Sequence, residues 1–103
     1  SIILPCCVVN PFVTMGKNIF LFTGTIIEHD SIVGDNVYFS PNVSLAGHVK
    51  VGNNTFFGIN ACAIEGIKIG SNVIVGAGSV VLKDVSDNKV VAGVPAKILR
   101  KND

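Results

Sequence analysis

The stretch VGDNVYFSPNVSLAGHVKVGNN (residues 33–54) carries an apolar residue at every sixth position, starting from Val33. The same register extends in both directions without a break. Its fourteen apolar positions, called anchors below, are Ile3, Val9, Met15, Leu21, Ile27, Val33, Phe39, Leu45, Val51, Phe57, Ala63, Ile69, Val75 and Val81. An α-helix would repeat its apolar positions near every 3.6 residues, and a half-buried strand would repeat them every second residue. A period of six is neither, and it indicates a solenoid of six-residue units.

Two further positions of each unit support this interpretation. The position four residues after each anchor is small or β-branched throughout, from Cys7 to Val85. The position three residues after each anchor is Asn, Asp or Gly in eleven of the fourteen units. These residues tolerate a left-handed backbone conformation best. Each unit therefore predicts a short strand followed by a corner.

A longer repeat sets the number of sides. Met-Gly-Lys-Asn (15–18), Val-Gly-Asp-Asn (33–36), Val-Gly-Asn-Asn (51–54) and Ile-Gly-Ser-Asn (69–72) recur every 18 residues, which is three units. We therefore predict an all-β fold, a parallel β-helix of hexapeptide repeats with 18 residues per triangular coil and coils about 4.8 Å apart. The repeat predicts roughly four and a half coils between Ile3 and Val85. We assign residues 1–87 to the β-helix and residues 88–103 to a short C-terminal tail.

Composition limits the possible partners. The 103 residues allow one domain. They are 49% hydrophobic and 15% charged, which excludes disorder, and no apolar run is long enough to span a membrane. A net charge of +1 argues against nucleic acid or an anionic membrane as a partner. Outward apolar residues such as Phe20, Tyr38 and Phe56 predict packing against further copies of the chain, and a homotrimer is the simplest closed arrangement.

The cysteines and the N-terminus indicate the compartment. Cys6, Cys7 and Cys62 form neither a disulfide framework nor a metal-type spacing with histidine. We therefore expect a cytoplasmic location and no bound metal ion. No segment resembles a signal peptide. Because the chain begins at Ser1 rather than Met, we expect it to be a piece of a longer protein.

His29 is the candidate catalytic residue. It lies between Glu28 and Asp30, and a neighbouring carboxylate can orient an imidazole that acts as a general base. Gly47 follows His29 by 18 residues, so its N–H should lie about 5 Å from His29, where it is a candidate hydrogen-bond donor to an oxyanion. The alternative is an ordinary charged corner. His48 occupies a corner position, where it is interpreted as a turn residue.

Three other functions known or conceivable for such a fold are excluded, because the chain lacks the residues that each would need. A zinc hydratase on such a solenoid needs three converging histidines, and the chain has two. An ice-binding face needs threonines stacked at 18-residue spacing, which Thr14, Thr23, Thr25 and Thr55 do not provide. A P-loop is absent because Gly76 and Gly78 have no Lys-Ser or Lys-Thr after them.

Three segments resemble the left-handed β-helix (hexapeptide-repeat) acyltransferases. They are Thr-Gly-Thr-Ile-Ile-Glu-His-Asp-Ser-Ile-Val-Gly-Asp (23–35), Ser-Pro-Asn-Val-Ser-Leu-Ala-Gly-His-Val-Lys-Val-Gly (40–52), and Val-Gly-Ala-Gly-Ser-Val-Val-Leu-Lys-Asp-Val (75–85) with Ala-Gly-Val-Pro-Ala-Lys-Ile-Leu (92–99). Within that group the chain is most similar to the family that acetylates sialic acid or nucleotide-linked amino sugars. The resemblance is only to the C-terminal domain of those enzymes. The likeness covers nearly the whole chain.

The resemblance implies an acetyl-CoA-dependent acetyltransferase: a trimer of left-handed coils with acetyl-CoA in the groove between subunits. By this resemblance His29 is the general base and Asp30 orients its side chain. The N–H of Gly47 is expected to stabilise the oxyanion. The remaining matched positions line the cofactor: Gly58, Ile59, Gly76 and Ala77 along the pantetheine arm, and Pro95, Lys97 and Arg100 near the nucleotide end. Glu28 and Tyr38 are expected on the side of the acceptor, a sugar or nucleotide-sugar amine or hydroxyl.

Three departures from the family leave alternatives open. The family usually has an N-terminal nucleotide-fold domain, which is not among these 103 residues. Phe22 stands where the family usually has Asn, and Tyr38 where it often has a second His. The chain could therefore act on a different small acceptor, or be a catalytically silent trimeric scaffold.

Overall fold

The computed structural model describes residues 1–103 and consists of β-strands joined by tight corners, with no helix. No segment forms a helix of the length and apolarity needed to cross a membrane. The strands in chain order are β1 (Ile2–Ile3), β2 (Val8–Val9), β3 (Thr14–Met15), β4 (Phe20–Leu21), β5 (Ile26–Ile27), β6 (Ile32–Val33), β7 (Tyr38–Phe39), β8 (Ser44–Leu45), β9 (Lys50–Val51), β10 (Phe56–Phe57), β11 (Cys62–Ala63), β12 (Lys68–Ile69), β13 (Ile74–Val75), β14 (Val80–Val81), β15 (Lys89–Gly93) and β16 (Ala96–Lys101).

Every third strand stacks on the same side, so the strands form three sheets, here called faces 1, 2 and 3. Face 1 has the order β1-β4-β7-β10-β13-β15-β16, face 2 the order β14-β11-β8-β5-β2, and face 3 the order β12-β9-β6-β3. Pairing is parallel and 18 residues apart, as between Phe20 and Tyr38. Face 2 has five strands, so the chain makes about five turns. The predicted triangular parallel β-helix is confirmed.

The anchors and the column four residues after them fill the inside of the triangle. Phe39 and Phe57 are fully buried and stack with ring centroids 4.9 Å apart. The buried hydroxyls of the second column bond to backbone: Thr55 Oγ1 donates to Gly70 O at 2.7 Å, and Ser31 Oγ donates to Ala46 O at 3.1 Å. No buried side-chain nitrogen or oxygen lacks a partner. The interior is therefore a packed rod, and any site must lie on its outside.

The corners have the predicted left-handed backbone. Thirteen of the fourteen positions that follow an anchor by three residues have positive φ, including Asp30 (61°) and His48 (59°). Asp84 is the exception. The next positive-φ corner is Asn88, which lies over Asn72 after 16 residues instead of 18.

The 18-residue register therefore ends after Val81, earlier than predicted. Val85, assigned to the second column by spacing, instead pairs with the anchor Ile69. The pairing of β13 with β15 has the same 16-residue offset. The last coil is two residues short because the turn between Val81 and Val85 is two residues shorter than the equivalent turn in the preceding coil.

Both ends of the rod differ from its middle. Within residues 88–103, β15 adds a parallel strand to face 1, and β16 turns back antiparallel on β15. The division at residue 87 stays a prediction. At the other end the anchors Ile3 and Val9 are 55% and 38% exposed, because no described coil covers the first one.

Candidate functional site

His29 lies at the corner between faces 2 and 3. Strand β5 ends at Ile27 and β6 begins at Ile32, so four residues make the turn. Asp30 adopts the left-handed conformation there, and Ser31 turns inward and is fully buried. The His29 side chain projects outward and is 51% exposed. The corner thus presents an imidazole to the surface on a rigid backbone.

Asp30 holds that imidazole. Its Oδ2 lies 3.1 Å from His29 Nδ1. A carboxylate at this position favours the proton on Nδ1, which leaves the lone pair of Nε2 free to accept another. Glu28, the other flanking carboxylate, does not contact the ring and instead accepts a hydrogen bond from the Asn10 side-chain amide. The orienting residue is therefore Asp30.

Gly47 lies against the His29 ring from the next coil. A Cβ added to Gly47 would lie 2.7 Å from both Nε2 and Cε1 of His29. Only glycine leaves room for the ring in this position. The N–H groups of Ala46 and His48 donate to the preceding or following coil, whereas the Gly47 N–H has no partner within the chain. A backbone donor with no partner in the chain therefore lies next to the Nε2 side of the imidazole.

His48 also belongs to this corner, although its position in the repeat predicts only a turn residue. Its φ of 59° confirms the turn. In addition, its Nε2 lies 3.8 Å from Asp30 Oδ2, and its ring meets the His29 ring edge-on at 5.2 Å. The available signal was the spacing, because His48 follows Asp30 by the same 18 residues that separate Gly47 from His29.

The other expected site residues lie elsewhere on the triangle. Gly58, Ile59, Gly76 and Ala77 form two stacked turns at the corner between faces 1 and 2, where a Cβ on Gly58 would lie 2.6 Å from Ala77 N. Tyr38 lies on face 1, stacked on Phe56 at 5.2 Å and close to Phe22 at 4.9 Å. One chain therefore does not bring these residues to His29.

The tail forms a groove against the last coils. It has a volume of about 370 Å³, and its lining includes Pro95, Lys97, Lys83 and the apolar Leu82. Arg100 does not line this groove; its guanidinium donates to the Lys101 carbonyl at 3.0 Å and is exposed.

The chain matches known proteins along nearly its whole length. The family model described as "Hexapeptide repeat of succinyl-transferase" matches residues 48–83. The acetyltransferase domain of PglB from Neisseria gonorrhoeae FA1090 is 29% identical, with a TM-score of 0.81 over 94% of this chain and 56% of that one. A second structure of that domain holds acetyl coenzyme A, at 28% identity and a TM-score of 0.75 over 94% of this chain and 53% of that one.

Two further acetyltransferases are similar. A variant of perosamine N-acetyltransferase from Caulobacter crescentus, in complex with CoA and GDP-perosamine, is 36% identical, with a TM-score of 0.78 over 96% of this chain and 56% of that one. Serine acetyltransferase from Neisseria gonorrhoeae is 32% identical, with a TM-score of 0.84 over 92% of this chain and 41% of that one. The fold is the left-handed β-helix of the hexapeptide-repeat acyltransferases.

The resemblance drawn from three sequence segments is thereby confirmed. The hexapeptide-repeat β-helix described here spans about half the length of the acetyltransferases it matches, 56% of the PglB domain and 41% of the serine acetyltransferase. Those relatives include sugar-linked and amino-acid acetyltransferases built on one type of rod. The rod alone therefore does not determine the acceptor.

Proposed function

We propose that this hexapeptide-repeat β-helix is the catalytic part of an acetyl-CoA-dependent acetyltransferase, with His29 as its general base. The observation that carries the proposal is the contact of 3.1 Å between His29 Nδ1 and Asp30 Oδ2, under a glycine whose N–H is free. An oriented imidazole beside an unused donor is the pair of groups that direct acyl transfer requires.

The chemistry follows from these groups. His29 Nε2 takes the proton of an acceptor amine or hydroxyl as that group attacks the thioester carbonyl carbon of acetyl-CoA. The oxygen of the tetrahedral intermediate accepts a hydrogen bond from the Gly47 N–H. The intermediate then collapses, the carbon–sulfur bond breaks, and the departing thiolate of CoA takes the proton from the His29 imidazolium. Asp30 stabilises that imidazolium and keeps the ring in place.

The cofactor is assigned to a groove between two copies of the chain. The corner with Gly58, Ile59, Gly76 and Ala77 and the corner with His29 are different edges of one triangular prism, which supports a groove completed by a neighbouring subunit. The space lined by Pro95 and Lys97 suits the nucleotide end of CoA, because a cation beside a polyphosphate is favourable. Arg100 lies on the same exposed hairpin. A homotrimer in the cytoplasm is part of this proposal.

The acceptor proposed is the amine or hydroxyl of a sugar or nucleotide-sugar. Support comes from the perosamine N-acetyltransferase, 36% identical and in complex with GDP-perosamine. Tyr38 would contact this acceptor from a neighbouring subunit, since an aromatic ring offers an apolar face to a sugar. Glu28 lies one residue before the base and is half-buried.

A different small acceptor is the second candidate function. The serine acetyltransferase, with a TM-score of 0.84, favours it, because an enzyme with the same β-helix fold is named for an amino-acid acceptor. Phe22 and Tyr38 also depart from the sugar family at the acceptor side. A catalytically silent scaffold is a third possibility, and it would bind no acetyl-CoA.

The test is turnover of acetyl-CoA with a panel of amino sugars, nucleotide-sugars and amino acids, alongside calorimetric titration of acetyl-CoA. His29→Ala should lower kcat by about 100-fold or more, because general base catalysis contributes on the order of 10²–10⁴, while acetyl-CoA still binds. Lys17→Gln, an exposed change at another corner, should leave turnover unchanged. Wild-type turnover by His29→Ala would refute the mechanism, and no acetyl-CoA binding by the wild type would favour a scaffold.

A further inference from the structure

Three metal-binding side chains converge at the corner between faces 2 and 3. His29, Asp30 and His48 each place a potential ligand atom there, and these atoms all lie within 4.8 Å of one another. The first two belong to one coil and His48 to the next, so the stacking of coils brings them together. No other group of three such residues occurs in the chain.

Two of the three separations between ligand atoms are close to those of a metal centre, and the atoms of the third pair lie within 4.8 Å of each other. Zinc binds nitrogen and carboxylate oxygen at about 2.0–2.2 Å, so tetrahedral neighbours lie about 3.3 Å apart. The distance from His29 Nδ1 to Asp30 Oδ2 is 3.1 Å, and that from His48 Nε2 to Asp30 Oδ2 is 3.8 Å. The three side chains are 42–57% exposed, which leaves them space to turn toward an ion.

The left-handed backbone at residue 48 does not by itself require a histidine, because Asn adopts the same conformation at other corners. Asn occupies seven of the positive-φ positions, including Asn36 and Asn54. His48 adopts the same conformation and adds an imidazole that faces Asp30 across from His29. Two imidazoles and one carboxylate suit borderline divalent ions such as Zn²⁺ and poorly suit Mg²⁺ or Ca²⁺.

We propose that His29, Asp30 and His48 bind one divalent first-row transition metal ion, with water in the remaining position. The spacing of Cys and His in the sequence did not suggest such a site, because it depends on residues from successive coils. Binding does not depend on the proposed acetyl transfer. Where that function holds, the ion would inhibit it, because Asp30 as a ligand no longer orients His29.

Calorimetric titration of the full chain with Zn²⁺, in the absence of acetyl-CoA, tests the site. We expect one ion per chain. Losing an outer-shell partner of a metal ligand lowers affinity by about 10- to 100-fold, so His48→Asn, which removes a ligand itself, should weaken Zn²⁺ binding by more than that. Asn fits this corner, so the fold should be retained. Asp35→Asn, which removes a carboxylate at another corner, should leave binding unchanged.

The double change Cys6→Ser and Cys7→Ser checks whether adjacent thiols bind the ion instead. It should leave the affinity unchanged. No Zn²⁺ binding by the wild type, equal binding by His48→Asn, or loss of binding in the cysteine variant would each overturn the proposal. Because no acetyl-CoA is present, these outcomes are independent of whether the chain transfers acetyl groups.

Discussion

At the scale of single residues, the site depends on which side chains stack on one another in successive coils. His29 takes its orientation from its chain neighbour Asp30, but its space comes from Gly47, one coil away. The added Cβ of any other residue would lie within 2.7 Å of the ring. Gly47 therefore has two roles: it admits the imidazole and supplies a free N–H.

Gly47→Ala should lower kcat/KM for acetyl transfer by about 10- to 100-fold, because displacing a catalytic group by about 1 Å costs on this order. The effect should come with an unchanged far-ultraviolet circular dichroism spectrum, since the atoms that a Cβ on Gly47 would meet belong to the half-exposed His29 side chain and not to the backbone. Gly66→Asn is the matched control, because a Cβ there meets nothing within 4 Å and Asn already adopts the left-handed conformation of this corner at seven other positions. Equal activity of Gly47→Ala and wild type would show that the ring does not need this space.

Sequence spacing was sufficient to place Gly47 beside His29, but it did not reveal His48 as a member of the cluster. A histidine at a corner position has a sufficient explanation as a turn residue. Its second role depends on the rotamers of two exposed side chains, which the 18-residue repeat does not specify. The same limit applies to Glu28, whose bond to Asn10 spans two coils.

At the scale of one structural element, the corner between faces 3 and 1 explains the Gly-x-Asn repeat. Asn53 Oδ1 accepts a hydrogen bond from Asp35 N at 2.7 Å, and Ser71 Oγ accepts one from Asn53 N at 2.9 Å. Each accepting side chain lies over the glycine of the preceding coil, as Asn53 lies over Gly34. The glycines thus make room for a ladder of hydrogen bonds between coils.

Gly34→Ala should therefore destabilise the fold by about 1–3 kcal/mol, the usual cost of forcing extra atoms into a packed position. Its Cβ would displace the Asn53 side chain and break the bond to Asp35 N. Urea denaturation measures the change. Lys17→Gln, an exposed change at the same corner of the preceding coil, should stay within about 0.5 kcal/mol of wild type, as surface changes generally do. An unchanged midpoint for Gly34→Ala would contradict the role assigned to the ladder.

The strands were predicted correctly wherever the same positions are buried in every coil. They were predicted poorly at the C-terminal end, where this repeat stops. Anchors such as Phe39 and Leu45 were identified because each coil must bury the same positions. The shortened last coil was missed, since Val85 fits the second column by spacing and pairs with Ile69 only in three dimensions. The β15–β16 hairpin was missed as well, because it lies outside the repeat.

At the scale of the whole molecule, the outward apolar residues point to self-association. Ile32 and Phe56 are 45% and 41% exposed on faces 3 and 1, and Tyr38 extends the apolar strip on face 1. The residues assigned to the cofactor and His29 also lie on different edges of the prism. Both features favour packing of several rods side by side.

Sedimentation equilibrium should give a mass three times that of the 10.8 kDa chain. Phe56→Lys should shift the protein toward monomer, because a charge on the covered strip opposes its burial. Lys50→Gln, on an exposed strand position, should leave the trimer intact. A wild type that sediments as a single chain would contradict the trimer.

The antiparallel strand β16 at the C-terminal end has a consequence for solubility. A stack of parallel strands offers unpaired backbone groups at its last rung, which is the arrangement that lets amyloid fibrils grow. Strand β16 covers that rung of face 1 and carries the exposed Lys97, Arg100 and Lys101. Repulsion between such cationic strands opposes the end-to-end addition of one rod to another through face 1.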